Sequence, residues 1–171
     1  MIAPSAWIVL LRLVVGAWFV KAVWTKLTIM WLWDAVPYPA VSPRFIAFQP
    51  RRVAEFAAGN PLAWYRDFLE TTVLPHATLF ANLQTYGEIA VGLALVLGLF
   101  TGLAALVGLF LCVNYGLASQ WMSFGQQGFH VLLVTSMLIF LGARAGRVWG
   151  VDAFLRRLAG SRARGWLSLV T

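Results

Sequence analysis

Apolar residues fill four long stretches of the chain, and polar residues gather between them. A membrane-spanning helix needs roughly 20 mostly apolar residues. Four segments meet this requirement and predict spanning helices over about residues 7–33, 77–100, 103–122 and 129–145. The pattern therefore predicts an all-α fold, an integral membrane four-helix bundle that forms a single domain over residues 1–171.

The segment between the first two predicted spans, residues 34–76, is the one substantial loop. It contains two stretches with the spacing of amphipathic helices, about residues 50–58 and 61–72, separated by the sequence GNP, which stops one helix and starts another. We expect these extracytoplasmic helices to lie on the membrane surface or to cap the bundle.

The second and third spans are joined by the short sequence GLFTGLA, so we expect them to be antiparallel neighbours. Small residues recur every four positions near this turn, and such a stripe lets helix backbones approach closely. The stripe consists of Ala90, Ala94, Gly98 and Gly102.

Composition agrees with the membrane assignment. The chain is 61% hydrophobic and 11% charged, whereas a typical soluble domain has about 25% charged residues. In a membrane protein, the net charge of +7 is explained by basic residues that set the orientation of the spans. No nucleic-acid partner is therefore expected. The single cysteine, Cys112, excludes a disulfide or a cysteine-ligated cluster within this chain.

Arginines dominate the segment that follows the fourth span. The positive-inside rule places this basic tail, residues 146–171, in the cytoplasm, and an even number of spans places the N-terminus there too. We expect a multi-pass protein of a prokaryotic inner or plasma membrane, with a tail that lies on anionic lipid. The arginines at the end of the fourth span and in the tail are Arg144, Arg147, Arg156, Arg157, Arg162 and Arg164.

Three basic residues lie in the first predicted span, where each ionisable group costs several kcal/mol unless it is paired or reaches water. Helical spacing places Arg12 and Lys26 on one face together with Gly16, and Lys21 on the opposite face. We expect Arg12 to extend to the lipid headgroups. Lys21 is expected to face headgroups, a partner helix or another copy of the chain.

Glu88 is the only acidic residue in the predicted spans. A carboxylate at that depth is either protonated or paired with a cation, and Lys26 is the favoured partner. The pair has two interpretations that the sequence leaves open: a functional site, or a buried clamp that only stabilises the fold.

Other polar residues lie at the same level of the bundle as Glu88. Together they would suit a quinone head group, because its carbonyls need hydrogen-bond donors and its reduction takes up protons. Glu88, Lys26 and His130 are the candidate catalytic residues, and helix ends near water are the alternative explanation for these polar positions. The candidate quinone-binding residues are Gln84, Tyr86, Asn114 and Lys26. No haem or metal is expected, since His76 and His130 do not form a facing pair inside the bundle.

Three motifs resemble the DoxX/DoxD family of membrane proteins. The stretch LRLVVGAWFVKAVWTKL is similar to the first-helix signature of that family, and YGEIAVGLALVLGLFTGLAAL is similar to its second helix and turn. The sequence GRVWGVDAFL resembles its closing motif. The long loop is more similar to the DoxD branch, the membrane subunit of thiosulfate:quinone oxidoreductase, than to the shorter DoxX branch.

The resemblance implies a membrane subunit that passes electrons from a thiosulfate-like reduced sulfur compound, or from a redox partner, to quinone. It implies a non-covalently bound quinone and a second redox subunit or soluble redox partner, and it leaves homo-oligomers open. The alternative is a non-catalytic scaffold that recruits redox enzymes to the membrane. A small-solute channel is less favoured.

Overall fold

The structure is a computed structural model in which residues 4–158 are described. The helices are α1 (Pro4–Val23), α2 (Pro43–Ala58), α3 (Ala63–Phe68), α4 (Ala77–Leu97), α5 (Thr101–Ser119), α6 (Phe124–Ala143) and α7 (Val151–Leu158). A π-helical turn, Leu69–Val73, extends α3, and a 3-10 turn, Ala145–Arg147, follows α6. Within the described residues, α1, α4, α5 and α6 are long and apolar enough to cross a membrane. The predicted helical membrane bundle is therefore confirmed.

The first span is shorter than predicted, because α1 ends at Val23 and not near residue 33. A β-hairpin follows, in which β1 (Leu27–Leu32) pairs antiparallel with β2 (Val36–Val41). Trp33 and Asp34 form its turn with φ angles of 53° and 55°. The prediction was wrong because a short apolar run such as LTIMWL has the same hydrophobicity in a strand as in a helix.

The two loop helices cap one end of the bundle. Ser42 Oγ accepts a hydrogen bond from the Phe45 N–H at 3.2 Å, so α2 begins seven residues before the predicted start at residue 50. Both helices bury apolar side chains against the ends of the spans. This second core contains Val53, Ala57, Tyr65, Leu69, Val73 and Ala118. We call this the loop end of the bundle, and the opposite end, with α7, the terminal end.

The last two spans are also displaced from their predicted bounds. The third span, α5, begins at Thr101 and ends at Ser119, whereas the prediction was 103–122. The fourth span, α6, begins at Phe124, five residues before the prediction, because Ser123 Oγ accepts a hydrogen bond from the Gln126 N–H at 3.2 Å. His130 therefore lies inside α6 and not at its first turn.

The main core lies between the four spans, and α1 packs mainly on α4. These two helices cross at glycines: a Cβ at Gly16 would lie 2.9 Å from the Val96 nitrogen, and one at Gly92 would lie 2.9 Å from the Val20 nitrogen. The predicted small-residue stripe that begins at Ala90 does not form this contact with α1, because Ala90 is exposed. Gly92 supplies the close approach to α1, because it shares the inward face of α4 with Glu88.

Arg12 corrects another expectation. It does not extend to headgroups but is 1% exposed at the terminal end. Its Nη1 donates to the Ala145 carbonyl at 2.8 Å and its Nη2 donates to the Trp149 carbonyl at 3.1 Å. The chain after α6 crosses the end of the bundle, and its carbonyls accept these hydrogen bonds. The spacing of residues along the sequence does not reveal such a contact between distant segments. Arg12 thus joins α1 to the connection between α6 and α7.

The terminal end is closed by a second polar contact. Asp152, which is fully buried at the start of α7, accepts hydrogen bonds from the backbone N–H groups of Phe100 at 2.7 Å and Thr101 at 2.9 Å. It thereby satisfies free N–H groups at the start of α5. The rest of the predicted tail, including Arg162 and Arg164, lies outside the described residues.

Candidate functional site

Glu88 is the centre of a polar cluster inside the loop end of the bundle. It lies on the inward face of α4 and is 3% exposed. Its carboxylate forms an ion pair with Lys26. It also accepts hydrogen bonds from the Tyr115 hydroxyl at 2.8 Å and from Gln84 Nε2 at 3.3 Å. A buried carboxylate is thus compensated by one cation and two neutral donors, as burial of a charge requires.

Lys26 reaches Glu88 from outside the helix to which the sequence analysis assigned it. It lies in the turn between α1 and β1, and its backbone carbonyl accepts from the Ser42 N–H at 2.8 Å. Its Nζ lies 5.4 Å from the centroid of the Phe45 ring. The structure therefore makes the predicted pair, but the base of the hairpin positions Lys26, and not a helical face shared with Arg12.

Gln49 extends the polar cluster toward the surface of the loop end. Its Nε2 donates to Gln84 Oε1 at 3.1 Å, so Gln49, Gln84 and Glu88 form a chain of hydrogen bonds. Sequence reasoning missed Gln49 because it placed the start of this helix at residue 50. The amphipathic spacing of α2 could have revealed an inward polar residue if the helix had been started at Ser42.

A cavity of about 340 Å³ adjoins the polar cluster. Its polar lining residues are Gln49, Arg52, Gln84, Glu88, Tyr115, Ser119, Gln126 and His130. Most of its surface is apolar and aromatic, from α1, α2 and α6. These aromatic residues are Trp18, Phe19, Phe45, Phe48, Phe56 and Phe129. A largely apolar pocket with a few convergent polar groups is the usual form of a small-molecule site.

His130 is a buried residue of the cavity lining. It is 8% exposed, and its Nε2 is hydrogen-bonded with Ser119 Oγ at 2.9 Å. Its other ring nitrogen, Nδ1, is buried without a hydrogen-bond partner among the described residues. A buried polar atom without a partner costs free energy, and in this arrangement Nδ1 has no surface that a ligand in the cavity could reach.

Two of the predicted site residues lie elsewhere. Tyr86 is 46% exposed, because two residues along a helix correspond to about 200° of rotation away from Glu88. Asn114 faces the loop helices, where its Oδ1 accepts from the Tyr65 hydroxyl at 3.3 Å. The same hydroxyl donates to the Asn114 carbonyl at 3.0 Å. Neither Tyr86 nor Asn114 lines the cavity, and Lys26, the third predicted quinone-binding residue outside the lining, contacts Glu88 instead.

Lys21 also lies outside the site, on the exposed surface of α1. Its Nζ is 5.3 Å from the centroid of the Trp18 ring, at the edge of the cavity. Within residues 4–158, no three His, Cys, Asp or Glu side chains lie close enough together to hold a metal ion.

Four apolar spans around a buried polar site define a multi-pass membrane protein. The chain matches, over residues 7–170, the family model described as TQO small subunit DoxD. It therefore belongs to the DoxD family, which confirms the resemblance drawn from its motifs. No solved structure matches the chain.

Proposed function

We propose that this chain binds quinone in the cavity beside Glu88, as the membrane subunit of a quinone oxidoreductase. The family description supports this role, since TQO denotes a thiosulfate:quinone oxidoreductase. In the proposed reaction, a thiosulfate-like reduced sulfur compound or a redox partner supplies the electrons. The site is the part of this proposal that the geometry supports.

One observation carries the proposal: the Glu88 cluster and the buried His130 line the same cavity, whose walls are otherwise mostly aromatic and apolar. A quinone head group is a flat ring with carbonyl oxygens, and it needs hydrogen-bond donors together with apolar walls. The side chains of His130 and Tyr115 provide hydrogen-bonding groups, and Phe45 and Phe129 provide ring faces. These residues fit the group.

The quinone, when bound, supplies a two-electron acceptor that takes up protons on reduction. In the proposed site, Glu88 and His130 exchange those protons with the ligand oxygens, and Lys26 balances the charge on Glu88. Gln84 and Gln49 continue the hydrogen-bond chain toward the loop end. On α4, the buried residues between Glu88 and the turn at Gly98 are apolar or glycine. Protons therefore enter from the loop end.

The proposed site also has an exit for an isoprenoid tail. Trp18 of α1 and Phe129 of α6 meet edge to face, with ring centroids 5.5 Å apart, at the margin of the cavity. Trp18 is partly exposed on the surface that faces lipid. A head group in the cavity would direct its tail between these two rings and into the bilayer.

The proposal also includes a redox partner and an orientation of the protein in the membrane. A second subunit or soluble redox partner docks at the loop end, where the hydrogen-bond chain reaches the surface. Both termini lie in the cytoplasm of a prokaryotic cell, because the arginine-rich segment follows the last span. The loop end then faces outward.

Titration of a quinone analogue into the protein in nanodiscs, followed by calorimetry, tests the site. Glu88→Gln and His130→Phe should each weaken binding about tenfold, which corresponds to roughly 1.4 kcal/mol for a lost hydrogen bond. Tyr86→Phe is the matched control, since it changes a polar side chain two residues from Glu88 but outside the cavity. Equal affinity in wild type and both site variants, with the fold intact, would favour a non-catalytic scaffold.

A further inference from the structure

A second cavity lies at the terminal end, about 740 Å³ in volume and open to the surface. It lies between the last turn of α4, at Leu97, and the start of α7. Two arginines, Arg147 and Arg157, line it together with Trp149 and Phe154. This cavity is separate from the proposed quinone site, because the lining residues of the two do not overlap.

Arg147 has unused hydrogen-bond donors. Its Nε and Nη2 are buried and lack an acceptor among the described residues. Burial lowers the pKa of the Arg147 guanidinium, and the neighbouring charges of Arg156 and Arg144 lower it further. Arginine stays protonated nonetheless, so an anion in this cavity would relieve the repulsion among the neighbouring arginines.

The chain itself supplies little negative charge to this end. Between residues 144 and 171 the sequence holds six arginines and one acidic residue, Asp152. The carboxylate of Asp152 already accepts from the backbone N–H groups of Phe100 and Thr101. Among residues 4–158, these two Arg147 donors therefore find no acceptor.

The rim of the cavity indicates the kind of molecule that brings this anion. Trp149 is 78% exposed, and Phe154 and Leu158 are also largely exposed. The position at the end of a span is the depth of lipid headgroups, where tryptophan is enriched. A ligand with an anionic group and an adjoining apolar part matches both the arginines and this rim.

From this geometry we infer that the cavity between α4 and α7 binds the phosphate of an anionic phospholipid. Arg147 and Arg157 contact the phosphate, and Trp149 and Phe154 contact the glycerol and upper acyl chains. Paired arginine donors are well suited to phosphate oxygens. The lipid would fix α7 against the end of the bundle.

The test uses native mass spectrometry of the full chain released from nanodiscs of phosphatidylcholine that contain phosphatidylglycerol. Wild type should retain phosphatidylglycerol, and Arg147→Gln or Arg157→Gln should retain about tenfold less. Arg51→Gln is the control of equal charge, since Arg51 is exposed on α2 at the loop end. Arg157 is also exposed, so Arg157→Gln keeps the test valid if Arg147→Gln fails to fold.

Two outcomes would overturn the inference. Equal retention in Arg51→Gln and the cavity variants would mean that only overall positive charge attracts the lipid. Release of phosphatidylglycerol by low millimolar inorganic phosphate would mean that the cavity binds free phosphate and does not recognise a lipid. Retention that depends on the two cavity arginines and resists phosphate would support it.

Discussion

Glu88 is compensated by side chains from three different parts of the chain. Lys26 comes from the turn before the hairpin, Gln84 from the preceding turn of α4 and Tyr115 from α5. These donors are not equivalent, because removing Lys26 leaves a buried charge whereas removing Tyr115 only removes one neutral hydrogen bond. The site is therefore most sensitive at Lys26.

Lys26→Met should destabilise the fold by about 3 kcal/mol, since it leaves Glu88 buried without a cation. The double variant Lys26→Met with Glu88→Gln should recover much of that loss, because no charge is then buried. Unfolding in detergent, followed by circular dichroism, measures both. A double variant no more stable than Lys26→Met alone would show that Lys26 acts independently of the carboxylate.

Tyr65 gives a pH-dependent prediction at the loop helices. Burial raises the pKa of its hydroxyl to about 12 from 10.0. The folded state thus holds a proton that the unfolded state has lost above pH 10, so stability should fall as pH rises from about 10 to 12, by at most about 1.4 kcal/mol per pH unit. Below pH 9 this residue should contribute no pH dependence.

Comparison of wild type with Tyr65→Phe isolates this effect. The variant should lose about 1 kcal/mol near neutral pH, because the hydrogen bond to the Asn114 carbonyl is gone. It should also show a smaller decrease in stability between pH 10 and 12. The same decrease in both proteins would assign the pH dependence to other groups.

Among the elements, the crossing of α1 and α4 holds the site together. Gly16 and Gly92 let the two backbones approach until a Cβ on either would meet the other helix at 2.9 Å. This contact places Phe19 of α1 next to the cavity and Glu88 one turn from the crossing. Separation of the two helices would open the cavity.

Gly92→Ala should therefore destabilise the protein by about 1–3 kcal/mol, as overpacking does. Gly142→Ala on α6 is the matched control, since no heavy atom outside its own helix lies within 4 Å of an added Cβ there. Replacement of a helical glycine by alanine is otherwise stabilising by roughly 0.5–1 kcal/mol. The two variants should consequently change thermal stability in opposite directions, and a gain in both would contradict the close crossing.

The elements also show what the sequence could predict. Hydrophobic length alone predicts four spans, and the cost of a buried carboxylate predicts that Glu88 needs a cation. The hairpin was missed because an apolar run of six residues does not reveal its backbone conformation. Arg12, Gln49 and the cavity depend on where distant segments cross, so their contacts could not be read from local spacing. Tyr86 and Asn114 were assigned to the quinone site because they lie at the same depth in the bundle as Glu88. Depth alone does not determine toward which side of its helix a side chain points.

On the scale of the whole molecule, the two ends of the bundle have different chemistry. The loop end contains the polar cluster and an aromatic cavity, and the terminal end contains Arg12, Asp152 and the arginine-lined cavity. Apolar core side chains such as Leu95 and Phe140 are fully buried between the spans. The two proposals rest on this difference: proton exchange with quinone at the loop end and phospholipid binding at the terminal end.

Cross-linking with a photoreactive quinone analogue tests whether quinone binds in the cavity beside Glu88. The protein in nanodiscs is irradiated with the analogue, digested and mapped by mass spectrometry, with excess unlabelled quinone as competitor. We expect competed labels on α2 between Phe45 and Phe56 and on α6 between Gln126 and Leu133. Labels confined to the lipid-facing surfaces of α4 and α5, near Tyr86 or Phe110, and unaffected by competitor would contradict it.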